Sequence, residues 1–468
     1  MFSHNLGRAL AIASAALLSA CKTFSPDGGM STVAAIAGDG LNKSVVRINS
    51  AEDASLAQGE VARRLKAPLS ADAAVQIALL NNPGLQAAYN RLGIAEAVMV
   101  QASRPPLPIF SFDRVSTSIE LDIERQVVAS ILSLATWPAR SKIAGVRFEQ
   151  AELRAAEETL RVAAETRKAY ISAVAARQVL AALGAAKASA VASAELAGKL
   201  TETGAVNKLD LARRQVFASE IEAQVTAAQL KATATQERLT RLMGLWGTDL
   251  NRLLPSALPP LPGKSRSLAS VEQEAMDKRV DLAIARLDVE ALARSYGLTR
   301  STRLINVLDA SGISKTQKDK GEPAADGGGF DIAFEVPVYD FGRARVREAE
   351  QRYSEALNQL AEMAVNARSE AREAYGAYAS TRAIAVQYER EVLPLRKTIS
   401  EQTELQYNAM QIDAFTLLET ARANAASKVA SIEAKRNFWL AYADLSVAVL
   451  GGGSLSEVDG AVIAAAGE

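Results

Sequence analysis

The stretch GGGFDIAFEVPVYDFGRARVREAEQRYSEAL, Gly327 to Leu357, changes its period in the middle. Phe330, Ile332, Phe334 and Val336 alternate with Asp331, Ala333 and Glu335, the two-residue rhythm of a strand with one apolar face. After Pro337 the rhythm turns helical, with Val346, Tyr353 and Leu360 seven apart and charges between them. An amphipathic strand therefore runs into a very long helix, in a chain whose abundant Ala, Glu, Arg and Leu favour closely packed helices.

The 468 residues allow more than one domain, and a net charge of zero with an ordinary apolar fraction points to neither nucleic acid nor disorder. The only histidine is His4 and the only cysteine is Cys21. Both lie in MFSHNLGRALAIASAALLSACK, where Arg8 precedes an apolar run too short to span a bilayer as a helix, so residues 1–20 read as a signal peptide. Leu18-Ser19-Ala20-Cys21 is similar to the bacterial lipobox, which predicts a lipid (palmitate-bearing) anchor on Cys21; a plain cut after Ala20 is the alternative. Lys22 rather than aspartate follows, which by analogy with lipoprotein sorting indicates the outer membrane. A mature chain from Cys21 has no histidine and no free thiol, and its methionines are scattered. No catalytic residues, no metal site and no cofactor are expected, and the chain reads as non-enzymatic.

The rest is a duplication. Residues 21–68 read as an extended leader, 69–253 as a first repeat with strands at about 109–117 and 126–137, and 254–267 as a Pro-rich linker. Residues 268–451 form a second repeat with strands at about 303–313 and 329–337, and 452–468 a flexible tail. In the first repeat a helix from Ser70 breaks at Asn82-Pro83, and the segment RVSTSIELDIE reads as a polar loop before Pro138 restarts a helix. In the second, Leu282 stands where Leu85 stood, and SKTQKDKGEPAADGGG reads as the loop. Pro138–Gly204 and Gly342–Asn408 are each about 66 residues, or roughly 100 Å as continuous helix. Each is followed by a turn and a returning helix of about 40 residues. Two strands per repeat bury no core alone, whereas strands with one apolar and one polar face suit a membrane barrel. Four strands per chain are too few to close one, so several chains must share it.

ALLNNPGL, RVDLAIARLDVEAL, VPVYDFGRARVREAE and GAVNKLDLARRQ resemble, in order and duplicate spacing, the TolC family of outer-membrane efflux proteins, over nearly everything from Leu69 to Gly451. That resemblance implies a mainly α fold with a membrane β-barrel: a homotrimer with a twelve-stranded barrel in outer-membrane lipid and a long α-helical coiled-coil tunnel in the periplasm. It also implies the partners, a periplasmic membrane-fusion adaptor and an inner-membrane efflux pump, with this chain as their passive exit duct. Pro337, Asp340, Gly342 and Arg343 match the family's strand-to-helix junction; the first junction, at Pro138, lacks the Asp-x-Gly-Arg form. The second tip has Met410 where many relatives place glycine.

The turn after the first long helix needs a residue at positive φ, which fits Gly204. Asp210 either caps the returning helix or bonds to a neighbour. The resemblance marks the tips, including Gly204, Asp210, Tyr407 and Met410, as the adaptor-contact surface. Three copies of Asp413 would make an acidic ring at a narrow pore end; the alternative is a solvated turn aspartate. Arg213 and Arg214 either tie neighbouring helices shut or stay solvated. The competing function class is a periplasmic helical adaptor or scaffold lipoprotein without a pore.

Overall fold

The computed structural model describes residues 23–246, 253–263 and 267–451; the signal peptide, Cys21 and the tail lie outside them. After an irregular helical stretch at 30–41 come α1 (Ala51–Arg64), α2 (Ala71–Asn81) and α3 (Pro83–Ala102). Strands β1 (Ile109–Ser116) and β2 (Glu120–Ser130) lead into α4 (Ile131–Glu202) and α5 (Lys208–Leu242). The order then repeats: α6 (Leu268–Lys278), α7 (Val280–Ser301), β3 (Val307–Asp319), β4 (Ala325–Glu335) and α8 (Arg343–Gln387). A π-helical turn, Tyr388–Val392, joins α8 to α9 (Leu393–Asn408), and α10 (Ala414–Leu450) returns.

The helix breaks follow local chemistry. Ser70 caps α2 by accepting from the Ala73 amide, and α2 stops at Asn82, which the following proline holds extended (ψ 116°). Asn82 then accepts from the Leu85 amide at 3.0 Å and so opens α3. Arg279 occupies the same break in the second repeat with ψ 121°. Leu85 and Leu282, just beyond the two breaks, are both buried.

The chain divides into two compact units. One holds the described parts of Met1–Thr32 with Tyr89–Ala155 and Leu282–Met363; the other holds the described parts of Val33–Ala88, Ala156–Asp281 and Ala364–Glu468. The first contains the antiparallel sheet, ordered β1-β2-β3-β4. The second contains the helical hairpins, with a core of Val271, Ala275, Ala374, Tyr378, Phe438 and Leu445 flanked by Trp439 and Tyr442. Its many buried alanines permit close helix approach. The Pro-rich linker is fastened to this unit: Trp439 Nε1 donates to the Pro259 carbonyl at 3.2 Å, and Arg382 to that of Pro262 at 3.2 Å.

Several expected boundaries move. The second strand is 120–130, not 126–137, and the segment expected as a polar loop is divided between the end of β1 and the charged half of β2, leaving a turn of three residues. In the second repeat the strands are 307–319 and 325–335, not 303–313 and 329–337, so the expected loop shrinks to a turn at 320–324. One cause serves both. A strand with a wet face carries Asp, Glu, Lys and Gln at alternate positions, and its composition then mimics a loop. Gly327, Gly328 and Gly329 pair through their backbones opposite Lys315, Ser314 and Ile313. Pro138 does not restart a helix; it lies inside α4, which begins at Ile131. The turn around it is held by side chains: the Thr136 hydroxyl donates to the Leu132 carbonyl and Arg140 to that of Ser133, both at 2.8 Å. The leader is not extended throughout, because Ser50 and Asp53 form a capping box that starts α1.

Candidate pore wall and hairpin tips

Register sorts the sheet's side chains into two faces. Phe110 pairs with Val127, Val127 with Gly312 and Gly312 with Phe330; one step along lie Ala129, Ala310 and Ile332, then Leu308 and Phe334. Directly opposed residues share a face, so this face is apolar over these rows, where Phe110 and Phe330 are 74% and 84% exposed; toward the turns it carries Arg114, Arg125, Thr316, Lys318 and Asp326. The other face is mostly polar. Ser111 pairs with Gln126, whose Nε2 reaches diagonally to donate to Ser311 Oγ at 3.0 Å. Lys315 meets Asp122 at 2.6 Å, and Glu120, Glu124, Asp309, Asp331 and Glu335 lie on the same side. The outer edges of β1 and β4 carry no partner strand among the described residues. One face fit for lipid, one fit for water and two open edges make a wall segment.

The two strand-to-helix junctions differ. Ser130 passes straight into α4, its hydroxyl accepting from the Ser133 amide at 3.4 Å. After β4 the chain makes a tight turn, with the Phe341 amide donating to the Pro337 carbonyl at 2.7 Å and both Phe341 (φ 51°) and Gly342 (φ 71°) left-handed. A Cβ on Gly342 would overlap the carbonyl oxygen of Arg303. Asp340 clamps the turn by accepting from the amides of Ala344 and Gly342, each at 2.9 Å, and those bonds hold its carboxyl below the usual carboxylate range. Arg343 lies exposed at the start of α8, its amide donating to the Asp340 carbonyl at 3.1 Å.

The two hairpin tips share a hydrogen-bond plan. Gly204 (φ 76°) and Met410 (φ 59°) are both left-handed. The Ala205 amide donates to the Leu200 carbonyl and the Gln411 amide to that of Gln406, each at 2.9 Å. Asn207 then caps α5 by accepting from the Asp210 amide, and Asp413 caps α10 by accepting from the Thr416 amide and hydroxyl. Asp210 is thus not the cap; it sits in the first turn, accepting from Asn207 Nδ2 at 2.9 Å. The Thr416 hydroxyl, then its amide, hold Asp413 low, with Arg213 adding to the effect.

Arginines link the hairpins here, mainly through rings and hydroxyls. Arg213 lies 4.7 Å from the centre of the Phe415 ring, and its ion pair with Asp210 stays within α5. Arg214 donates to Ser193 Oγ at 2.7 Å and to the Tyr407 hydroxyl at 3.5 Å. Arg422, which sequence reading passed over, pairs with Glu220 at 2.9 Å and lies over the Phe217 ring. Asn207 was also missed, although an Asn three residues before an acidic residue at a helix start is a legible cap signal. Met410 is almost fully exposed. Among the described residues no group of three or more His, Cys, Asp or Glu is placed to hold a metal.

No protein-family model matches the chain, and no curated protein does. Solved structures do. The CmeC outer membrane channel of Campylobacter jejuni is similar at a TM-score of 0.70 and 19% identity, covering 84% of this chain and 88% of that one. CusC, whose structures describe folding and transmembrane channel formation, gives 0.66 at 16% identity, covering 82% and 92%. The outer membrane protein VceC of Vibrio cholerae gives 0.64 at 17%, covering 82% and 97%. The chain has the fold of these outer-membrane channels.

Proposed function

We propose that three copies of this chain close one twelve-stranded barrel in the outer membrane and form a passive exit duct for small molecules or ions. The carrying observation is the sheet: four strands with an apolar band on one face, a mostly polar opposite face and, among the described residues, two open edges. Two copies would give eight strands, a number whose interior side chains fill; three give twelve and leave an aqueous lumen. The hairpins then hang into the periplasm, where their tips meet a membrane-fusion adaptor fed by an inner-membrane pump. The lipid on Cys21 adds a second hold on the membrane. A pore-less scaffold leaves the exposed Phe110, Phe330 and Phe334 without a purpose.

At the tips, Asp413 serves first as a helix cap through Oδ1. Three copies around an axis would still present three carboxylates, and the Arg213 and Arg214 contacts hold the hairpins of one chain together beside them. Crosslinking in native membranes should trap three chains, and a planar bilayer should report a cation-selective pore. Asp413→Ala should lose that selectivity while keeping the trimer. A soluble periplasmic monomer with no conductance would sink the duct.

A further inference from the structure

We infer that the helix-side rim of the sheet is a cationic collar that binds the phosphodiester headgroups of anionic lipids in the periplasm-facing leaflet. The inference rests on the duct reading for its membrane, but its evidence lies in a separate set of residues. The register places Ile109, Ser130, Val307 and Glu335 at one end of the sheet, so all four passages between strand and helix leave from that end. Along each passage the side chains run in the same order, from apolar to basic.

Before β1 the exposed Leu107 precedes Ile109, and Arg104 lies beyond it. After β2 come the exposed Ile131 and Leu134, then Arg140, Lys142 and Arg147. Before β3 the exposed Leu304 and Ile305 are preceded by Arg303 and Arg300. After β4 the exposed Val338, Tyr339 and Phe341 give way to Arg343, Arg345 and Arg347.

These nine cations are exposed, and among the described residues none has a carboxylate within ion-pairing distance. At this end of the sheet Glu335 accepts from Asn306 Nδ2 at 2.9 Å, Asp309 lies on the polar face, and the charge of Arg345 helps to hold Asp340 low; the other carboxylates nearby are occupied or lie farther along. Asp340 is spent on its turn, Glu96 on Ser25, Glu290 on Arg294 and Glu348 on Arg352. Two guanidinium groups also fold back toward the sheet: Arg140 donates to the Ser133 carbonyl and Arg345 to that of Thr302, each at 2.8 Å. Long side chains that bring charge to the border of an apolar band are the arrangement that meets lipid phosphate. Four independent passages with one order leave the apolar band bordered by unpaired positive charge, and phosphodiester is its complement.

The test uses the full-length protein in nanodiscs of phosphatidylcholine with a minority of phosphatidylglycerol. Native mass spectrometry reads the lipid retained, and carbonate extraction reads insertion. Phosphatidylglycerol should be enriched around the parent, and the enrichment should fall as salt rises. Arg104→Gln, Arg303→Gln and Arg343→Gln together should reduce it about a hundredfold, each charge counting for about fivefold. The matching Arg→Lys set should retain it, which separates lost charge from lost fold. An inserted parent without phosphatidylglycerol enrichment, or one whose enrichment survives the Gln set, overturns the collar alone. A parent removed by carbonate overturns the duct and the collar together.

Discussion

The two hairpin tips and the two strand-to-helix junctions occupy equivalent places in the duplicated chain, yet they have diverged unequally. At the tips Gly204 answers to Met410 and Asn207 to Asp413, and the turn-closing backbone bonds from Ala205 and Gln411 are kept, although only the first tip adds one from Val206 to Leu200. At the junctions one copy has a left-handed turn locked against Arg303, and the other has no turn at all. A tip must reverse the chain in a few residues, and few hydrogen-bond patterns do that. A junction only needs to carry a strand into a helix, and several routes serve.

The comparison is most easily broken at Gly342. Gly342→Ala places a Cβ against the Arg303 carbonyl at positive φ and should cost about 3 kcal/mol or more, read as loss of assembled protein or a large fall in thermal stability. Ser130→Ala, at the equivalent junction, should cost about 1 kcal/mol or less. The tips come next. Asn207→Ala should destabilise the start of α5 by about 1 kcal/mol at every pH. The Asp413 cap titrates instead. Its carboxyl is held low, so its contribution is complete above the ordinary aspartate range and disappears as pH falls through the lowered value. Amide-exchange protection at residues 416–418, taken against the intrinsic rate at each pH, should therefore fall in acid, and Asp413→Asn should remove that dependence.

A smaller effect tests the left-handed residues. Met410→Gly should stabilise the second tip by up to about 1 kcal/mol, and Gly204→Ala should destabilise the first by a similar amount. The smallest expected effect lies away from both features. Burial pushes the Glu152 carboxyl up, against the Thr32 hydroxyl bond and with Glu149, Asp27 and Glu96 adding repulsion. Stability from this group is full below the ordinary glutamate range and falls as pH rises through the raised value. Glu152→Gln should slow amide exchange at residues 29–32 near neutral pH and change nothing in acid.

Legibility in the sequence followed the same divide. The helix break at Asn82-Pro83 and the left-handed Gly204 were readable because proline and glycine act locally, whereas the Asp340-Gly342 junction was matched only through the family resemblance. The full lengths of β2 and β3 were not, because Asp122, Glu124 and Lys315 have loop-like chemistry until register places them on a wet face. The left-handed Met410 was unreadable in its own right, since methionine carries no signal for positive φ. The links made by Arg213, Arg214 and Arg422 join residues distant in sequence, and only packing brings Phe415, Tyr407 and Glu220 to them.

The π-helical turn at Tyr388–Val392 sets the second long helix apart from the first. The Leu393 amide reaches back to the Tyr388 carbonyl, five residues away, and Pro394 follows with no amide hydrogen to offer. One residue is in effect inserted there, so side chains from α9 onward are rotated by about 100° from the phase that α8 would have carried forward. A repeating seam would fall out of step at that point unless the sequence changed with it. The first long helix, α4, keeps a single phase through 72 residues. The two long helices are therefore different parts, one of a single helical phase and the other of two phases joined at Tyr388–Val392.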